Sequence, residues 1–351
     1  MKRIAILFCT VITLLSLSSC KKSLEGALKQ DASGTPYDLY LVMDEALKET
    51  ALNDSLHAVF EYPMSYMPSS DAFFRVRHLN PDNFASPVIR TVANVAIVDI
   101  APDNSSEPVI TLERDRFSNN QVIVRMHAKS IESLAEYLPQ IQEQLRDVYV
   151  KNELNRRIKV LREDHQVKQE DRLLKMQEVS MLIPLTIAYT CNAAVDSTHF
   201  FWATDGFQEK TSYLVAYSVP YTDQNIFSLE GALAVRDSVM GANITAGEGE
   251  QTQHMETRRE IVVPQYRALN IGGRYVGELS GMWRMPGQLM AGPFICHMRL
   301  DEVKKRVVFV EGFCYAPKVE DKRVLMRNLE ATLYTLKLPS DNLIPEIEVT
   351  L

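Results

Sequence analysis

Read for its alternation of apolar and polar positions, the chain resolves into many short strand-like runs and four helical stretches. Residues 93–100 (ANVAIVDI) and 306–310 (RVVFV) are apolar on both faces, the pattern of strands buried within a sheet. Further strands are predicted at 38–43, 72–79, 184–189, 199–203, 212–218, 258–263, 274–284, 294–300 and 306–315. Residues 108–113 and 121–127 flank a polar segment holding Asp115, Ser118, Asn119 and Asn120, which predicts a hairpin.

Helical spacing is clearest after Ser130, a candidate N-cap, where Ile131, Leu134, Leu138, Ile141, Leu145 and Val148 recur at steps of three and four. Pro139 predicts a kink. Beyond Val148 the stripe shifts phase to Leu154, Ile158 and Leu161 within the charge-rich run 151–175, and this predicts a solvated helix pair bridging two halves, the alternative being a protruding helical arm for a partner. Helices are also predicted at 44–60, 228–240 and 319–337. The last carries Leu325, Leu329, Leu333 and Leu336 on one face, with Glu320 and Asp321 near its positive end and Lys337 at its negative end.

The pattern predicts an α+β fold of mixed, mainly antiparallel sheets with packed helices, in an N-terminal half (37–180) ending in long helices and a C-terminal half (181–351). Each half reads as strand, helix, antiparallel strands and closing helix, with starts at Tyr37 and Ser212 and closing helices from Ser130 and Val319. That order suggests two degenerate repeats.

The N-terminus is of another kind. Lys2 and Arg3 precede an apolar run over 4–17, and Leu17-Ser18-Ser19-Cys20 has the form of a lipoprotein cleavage site. We therefore expect a signal peptide over 1–19, a lipidated Cys20 and a polar tether through residue 36. Lys21 and Lys22 follow the cysteine in place of an acidic cluster, which favours a periplasm-facing position in the envelope, on the inner leaflet of the outer membrane. The membrane is then a partner through the lipid.

Loss of Lys2 and Arg3 with the signal would move the formal net charge from -7 to -9, and so acidic a chain is a poor ligand for nucleic acid. Beyond Cys9 and Cys20 remain Cys191, Cys296 and Cys314, which read as buried thiols; the intervening turn should set Cys296 closer to 311 than to 314. No HExxH, GxSxG, Walker, GxGxxG or CxxC motif occurs, and the seven histidines have no ligand-like spacing. No metal or cofactor is expected, and a noncatalytic binding or assembly role is favoured.

Four clusters carry candidate chemistry: Glu113-Arg114-Asp115-Arg116-Phe117 with Asn120-Gln121; Phe200-Phe201-Trp202; Gly281-Met282-Trp283-Arg284 through Met290-Ala291-Gly292-Pro293-Phe294; and Tyr315-Ala316-Pro317 followed by Lys322-Arg323 and Leu329-Glu330. In these segments the chain resembles a family of Gram-negative bacterial lipoproteins carrying a domain of unknown function, departing from its pattern at Ser280 and Ala291. The resemblance implies lipid anchoring and a two-part α+β architecture, and no activity.

Read physically, Trp283, Arg284, Met285 and Met290 border a soft-lined loop at 285–293 and are expected to edge a binding surface for an envelope protein or a small ligand, unless the loop is a plain strand connection and Trp283 a core residue. Arg114 and Arg116 are a second candidate, presenting guanidinium groups to a carboxylate or phosphate unless the turn is internally salt-bridged. Glu278 and Glu311 interrupt apolar strands. Buried, they must pair with a cation such as Arg284 or Arg323, or else form the carboxylate site of a periplasmic hydrolase, the alternative function.

Overall fold

The computed structural model describes residues 29–68, 71–167, 178–190, 195–196, 200–206, 210–247, 249, 252–342, 344 and 347–351. The described chain forms two compact units, one from 29–52 and 77–137, the other from 53–76 and 138–351. Cys20, the tether up to residue 28, Cys191 and His199 lie outside the described residues. Helices α1 (Ala51–Phe60), α2 (Pro81–Phe84), α3 (Ile131–Val167), α4 (Leu185–Thr190), α5 (Leu229–Asn243) and α6 (Arg323–Leu333) join two main sheets in an α+β architecture.

The first unit is built on β1 (Asp38–Val42), β2 (Arg75–Leu79), β3 (Asn94–Ile100), β4 (Val109–Arg114) and β5 (Val122–Ala128), in the order β2-β1-β3-β5-β4. β3 is central because Val95 and Ala96 bury both of its faces. It pairs in parallel with β1 and with β5, and β4 folds back on β5 as the expected antiparallel hairpin. Val42, Val92, Val95 and Ile123 make the core of this sheet.

The second unit holds β6 (Val195–Asp196), β7 (Phe200–Thr204), β8 (Thr211–Pro220), the small pair β9 (Thr245–Ala246) and β10 (Gln253–His254), β11 (Glu256–Arg258), β12 (Gln265–Ile271), β13 (Arg274–Met285), β14 (Met290–Asp301) and β15 (Arg306–Tyr315). Its main sheet runs β11-β13-β14-β15-β8-β7-β6 with β12 also on β13, and every ladder in it is antiparallel. The element order shared by the two halves therefore does not extend to strand pairing.

Both faces of this sheet are covered. Phe294, Cys296 and Met298 of β14 point to the side of Leu233 and Met240 on α5, whereas Ile295 points to the side of Met326, Leu329 and Leu333 on α6. Helix α6 comes so close to β15 that a Cβ on Gly312 would stand 2.7 Å from the Leu329 Cβ. Cys296 lies opposite Glu311 and not Cys314, and both thiols are free and buried.

Several expectations are corrected. Residues 131–167 form one continuous helix, with Ser130 and Ser133 capping each other at 3.2 and 3.3 Å, and the rest of the charge-rich run, 168–175, lies outside the described residues. Over its described part the charge-rich run is not wholly solvated, since Leu154, Ile158 and Leu161 are buried; just before it Tyr149, also buried, meets Phe60 and Phe74 edge-on at 5.8 and 5.9 Å. The predicted strand at 184–189 is helix α4, since Pro184 opens its first turn, where a missing N–H is harmless. Of the predicted strand at 258–263 only Arg258 is strand, as the last residue of β11, the helix at 44–60 keeps only its second part as α1, and the helix at 319–337 shortens to α6.

β12 was not anticipated, because at a sheet edge its side chains alternate only weakly in polarity. Its signal was the turn: Gly272 and Gly273 sit at φ +59° and +79°, the two-residue hairpin conformation that glycine favours. The loop at 285–293 is likewise a hairpin, with Met285 opposite Met290 and Pro293 inside β14, one residue before its ladder with β15 begins.

Leu329→Ala is expected to lower unfolding stability in urea by about 2–5 kcal/mol, as deletions in a packed core do. A change below about half a kcal/mol would place that face in solvent. Gly312→Ala should also destabilise, because the atom it meets is a Cβ that no rotamer change can move.

Candidate functional site

The second sheet buries two acids, and the register separates them. Glu311 lies opposite Cys296, itself opposite Leu279, on the α5 face; Glu278 lies opposite His297, itself opposite Val310, on the α6 face. The two carboxylates thus project from opposite faces of one sheet. They cannot act on one substrate as an acid–base pair.

Each acid has its own cation, though neither partner is Arg284 or Arg323. Arg236 of α5 grips Glu311 with two hydrogen bonds, Nε to Oε2 at 2.8 Å and Nη2 to Oε1 at 2.6 Å, and its guanidinium lies 3.7 Å from the centre of the Phe294 ring. Its Nη1 donates to Thr257 Oγ1 at 3.0 Å and to Asp237 Oδ1 at 3.2 Å. Burial pushes the Glu311 carboxyl above its usual range, against the pull of Arg236.

On the other face Glu278 accepts a hydrogen bond from Arg267 Nε and one from His297 Nε2 at 3.1 Å. Burial raises its pKa, but Arg267 and the His297 hydrogen bond outweigh it and hold the carboxyl at about 2. Tyr334 meets the His297 ring edge-on at 4.9 Å; burial, with Glu278 and Glu330, keeps its phenol well above the usual range and so a neutral donor. Arg299 and Asp341 add a further bidentate pair at 2.6 and 3.1 Å.

Tyr334 also borders a cleft of about 540 Å³ with Asp147 and Lys151 of α3, the Gly272-Gly273 turn, and Ile347 and Glu348 near the C-terminus. It is concave and mainly polar. Sequence reasoning missed it because its walls come from segments distant in the chain, and the paired glycines were its one local sign. Among the described residues no group of His, Cys, Asp and Glu is placed to hold a metal ion.

The residues expected to edge a binding surface are not gathered into one. Trp283 is 1% exposed, and its indole N–H donates to the Cys314 carbonyl at 3.1 Å, so it is a core residue that packs edge-on against Phe313. Met285 is buried and Met290 packs on the same cluster. Arg284 is engaged by Glu256 at 2.7 Å and Glu260 at 3.1 Å. Alternation along β13 explains this: the even-spaced apolar residues taken for a loop edge face α5.

Arg114 and Arg116 belong to the first unit, and both are exposed at the β4–β5 turn. Asp115 occupies its left-handed apex at φ +51°, and its Oδ1 accepts the Gln121 N–H at 3.4 Å. Glu113 is held by Arg125 and stands 3.9 Å from Arg116. The turn is internally braced while its arginines still reach solvent.

With this geometry in hand, comparison with known proteins adds two matches. Residues 166–335 match a family described as a domain of unknown function (DUF4837), and residues 32–162 match another domain of unknown function (DUF8532). The chain thus carries two domains of unknown function. No curated protein matches it.

The ion pairs make two predictions. Glu278 titrates at about 2 in the fold against an ordinary 4.5, so its pairing stabilises the protein fully above pH 4.5 and is lost as pH falls towards 2. Urea unfolding across that window should show wild type losing stability more steeply than Glu278→Gln. Arg236→Met should cost about 3–5 kcal/mol by stranding Glu311, and Arg236→Met with Glu311→Met should recover most of it; equal losses in the two would mean the pair is not a coupled unit.

Proposed function

We propose that this chain is a lipid-anchored protein of the cell envelope, facing the periplasm, that acts by binding a partner protein or small ligand and not by catalysis. The observation that carries the noncatalytic reading is the placement of Glu278 and Glu311 on opposite faces, each neutralised by its own arginine. Carboxylates so paired serve the packing of the sheet. The hydrolase reading built on them has no geometric support.

The anchoring reading is supported by the Leu17-Ser18-Ser19-Cys20 pattern behind a short apolar run with Lys2 and Arg3 at its start. Acyl chains on Cys20 would anchor the protein stably without a spanning segment. Among the described residues no helix is long and apolar enough to cross a membrane. The cleft beside Tyr334 offers a concave, polar place for a small ligand.

Growth with a fatty-acid probe should label wild type and leave Cys20→Ala unlabelled, and equal labelling of the two would overturn the anchor. Crosslinking in intact envelopes followed by capture of the protein should recover the same partners from wild type and from Glu278→Gln. Loss of an enzymatic product in Glu278→Gln, with folding and partners intact, would restore the hydrolase.

A further inference from the structure

The first described residues do not leave the first unit at random. Segment 29–33 is strapped onto the β4–β5 turn: Ala32 N–H donates to the Asn119 carbonyl at 2.8 Å, Asn119 N–H to the Gln30 carbonyl at 2.9 Å, and Asn119 Nδ2 to the Lys29 carbonyl at 2.6 Å. Lys29 Nζ reaches the Asp115 carbonyl at 2.5 Å, and Ser33 N–H donates to the Thr91 carbonyl at 3.0 Å. The chain that leads back to Cys20 therefore departs from beside Arg114 and Arg116.

The same face gathers cations. Arg90 stacks on Phe117 at 5.0 Å, Arg116 lies 5.9 Å from that ring, and Gln121 Nε2 ties the 90–92 segment to the turn through the Arg90 and Val92 carbonyls at 2.6 and 2.8 Å. Val88, in the adjoining loop, is 74% exposed. Of the acids on these segments, Glu113 is held by Arg125, Asp115 braces the turn, Asp31 accepts from Asn120 Nδ2 at 3.2 Å, and Asp82 is exposed two residues before Phe84, which meets the Phe117 ring edge-on at 6.2 Å. In a chain whose formal net charge is -7, a cationic face with an exposed apolar residue is a part that anionic lipid would attract.

We propose that this face, with Lys29, Arg114 and Arg116 at the β4–β5 turn and Val88 in the loop that leads to Arg90, lies against the anionic headgroups of the leaflet that holds the Cys20 lipid. The inference rests on the anchoring reading above. Nine residue steps separate Cys20 from Lys29, so even a fully extended link holds the strap within about 30 Å of the lipid. Headgroup phosphates are matched by guanidinium groups, and Val88 meets the interface between headgroup and acyl chain. The remaining acidic surface is repelled, which sets the orientation of the unit.

The test uses the full lipidated chain in phosphatidylethanolamine vesicles with or without phosphatidylglycerol, containing lipid with a quencher at headgroup depth. Val88→Trp reports proximity, and Leu289→Trp, at a fully exposed site of the second unit, is the reference. Quenching of Val88→Trp should rise several-fold with phosphatidylglycerol and fall back in high salt or with Arg114→Glu and Arg116→Glu, while Leu289→Trp shows no such dependence. Quenching at Val88→Trp indifferent to lipid charge, salt and these arginines would overturn the proposal. Fatty-acid labelling of the same preparation separates the two failures: label at Cys20 without charge dependence removes this inference alone, and no label removes the anchor and this inference together.

Discussion

The bond between Arg236 and Glu311 is the constraint on which the second unit closes. Both side chains are wholly buried on a sheet face already lined with Phe294, Phe309 and Phe313. A lone carboxylate there would have to lose its charge or reach water. The two-toothed grip of the guanidinium answers this, and it has a positional consequence. Asp237, next to Arg236, accepts the Thr257 backbone N–H at 2.9 Å, so α5 is fixed in rotation, β11 is drawn to the helix, and both are tied to β15 through one ionic group. A pair of this kind contributes arrangement more than net stability.

The opposite face repeats the solution with different parts. Glu278 is met by Arg267 and His297, and Asp341 by Arg299, so each charge entering the sheet finds a partner on a neighbouring strand or on the segment after α6. These contacts explain polar residues that would otherwise pass for catalytic machinery: their neighbours are already committed. Function is then to be sought where polar groups face solvent, in the cleft beside Tyr334 and at the cationic face of the first unit.

Much of the second unit was legible in the chain. The double-sided apolar run at 306–310, the alternation along 274–284 and 294–300, and the leucine stripe of α6 all depend on local spacing, which burial enforces residue by residue. The lack of a Cys296–Cys314 match was also legible, because hairpin register follows from turn position. The single helix over 131–167 was not, since the aromatic contact that buries Tyr149 comes from residues about 75 to 90 positions earlier in the chain.

The sequence by itself determined the α+β class, most strands, the cap at Ser130, and the need of Glu278 and Glu311 for partners, because propensity, periodicity and the cost of burying charge act locally. Only the tertiary structure decided that the partners are Arg267 and Arg236, that Trp283 is core, that β1, β3 and β5 run parallel, and that Lys29 is bound beside Arg114. Those outcomes depend on which face of a strand meets which helix and on contacts between segments far apart in the chain, and no local pattern encodes either.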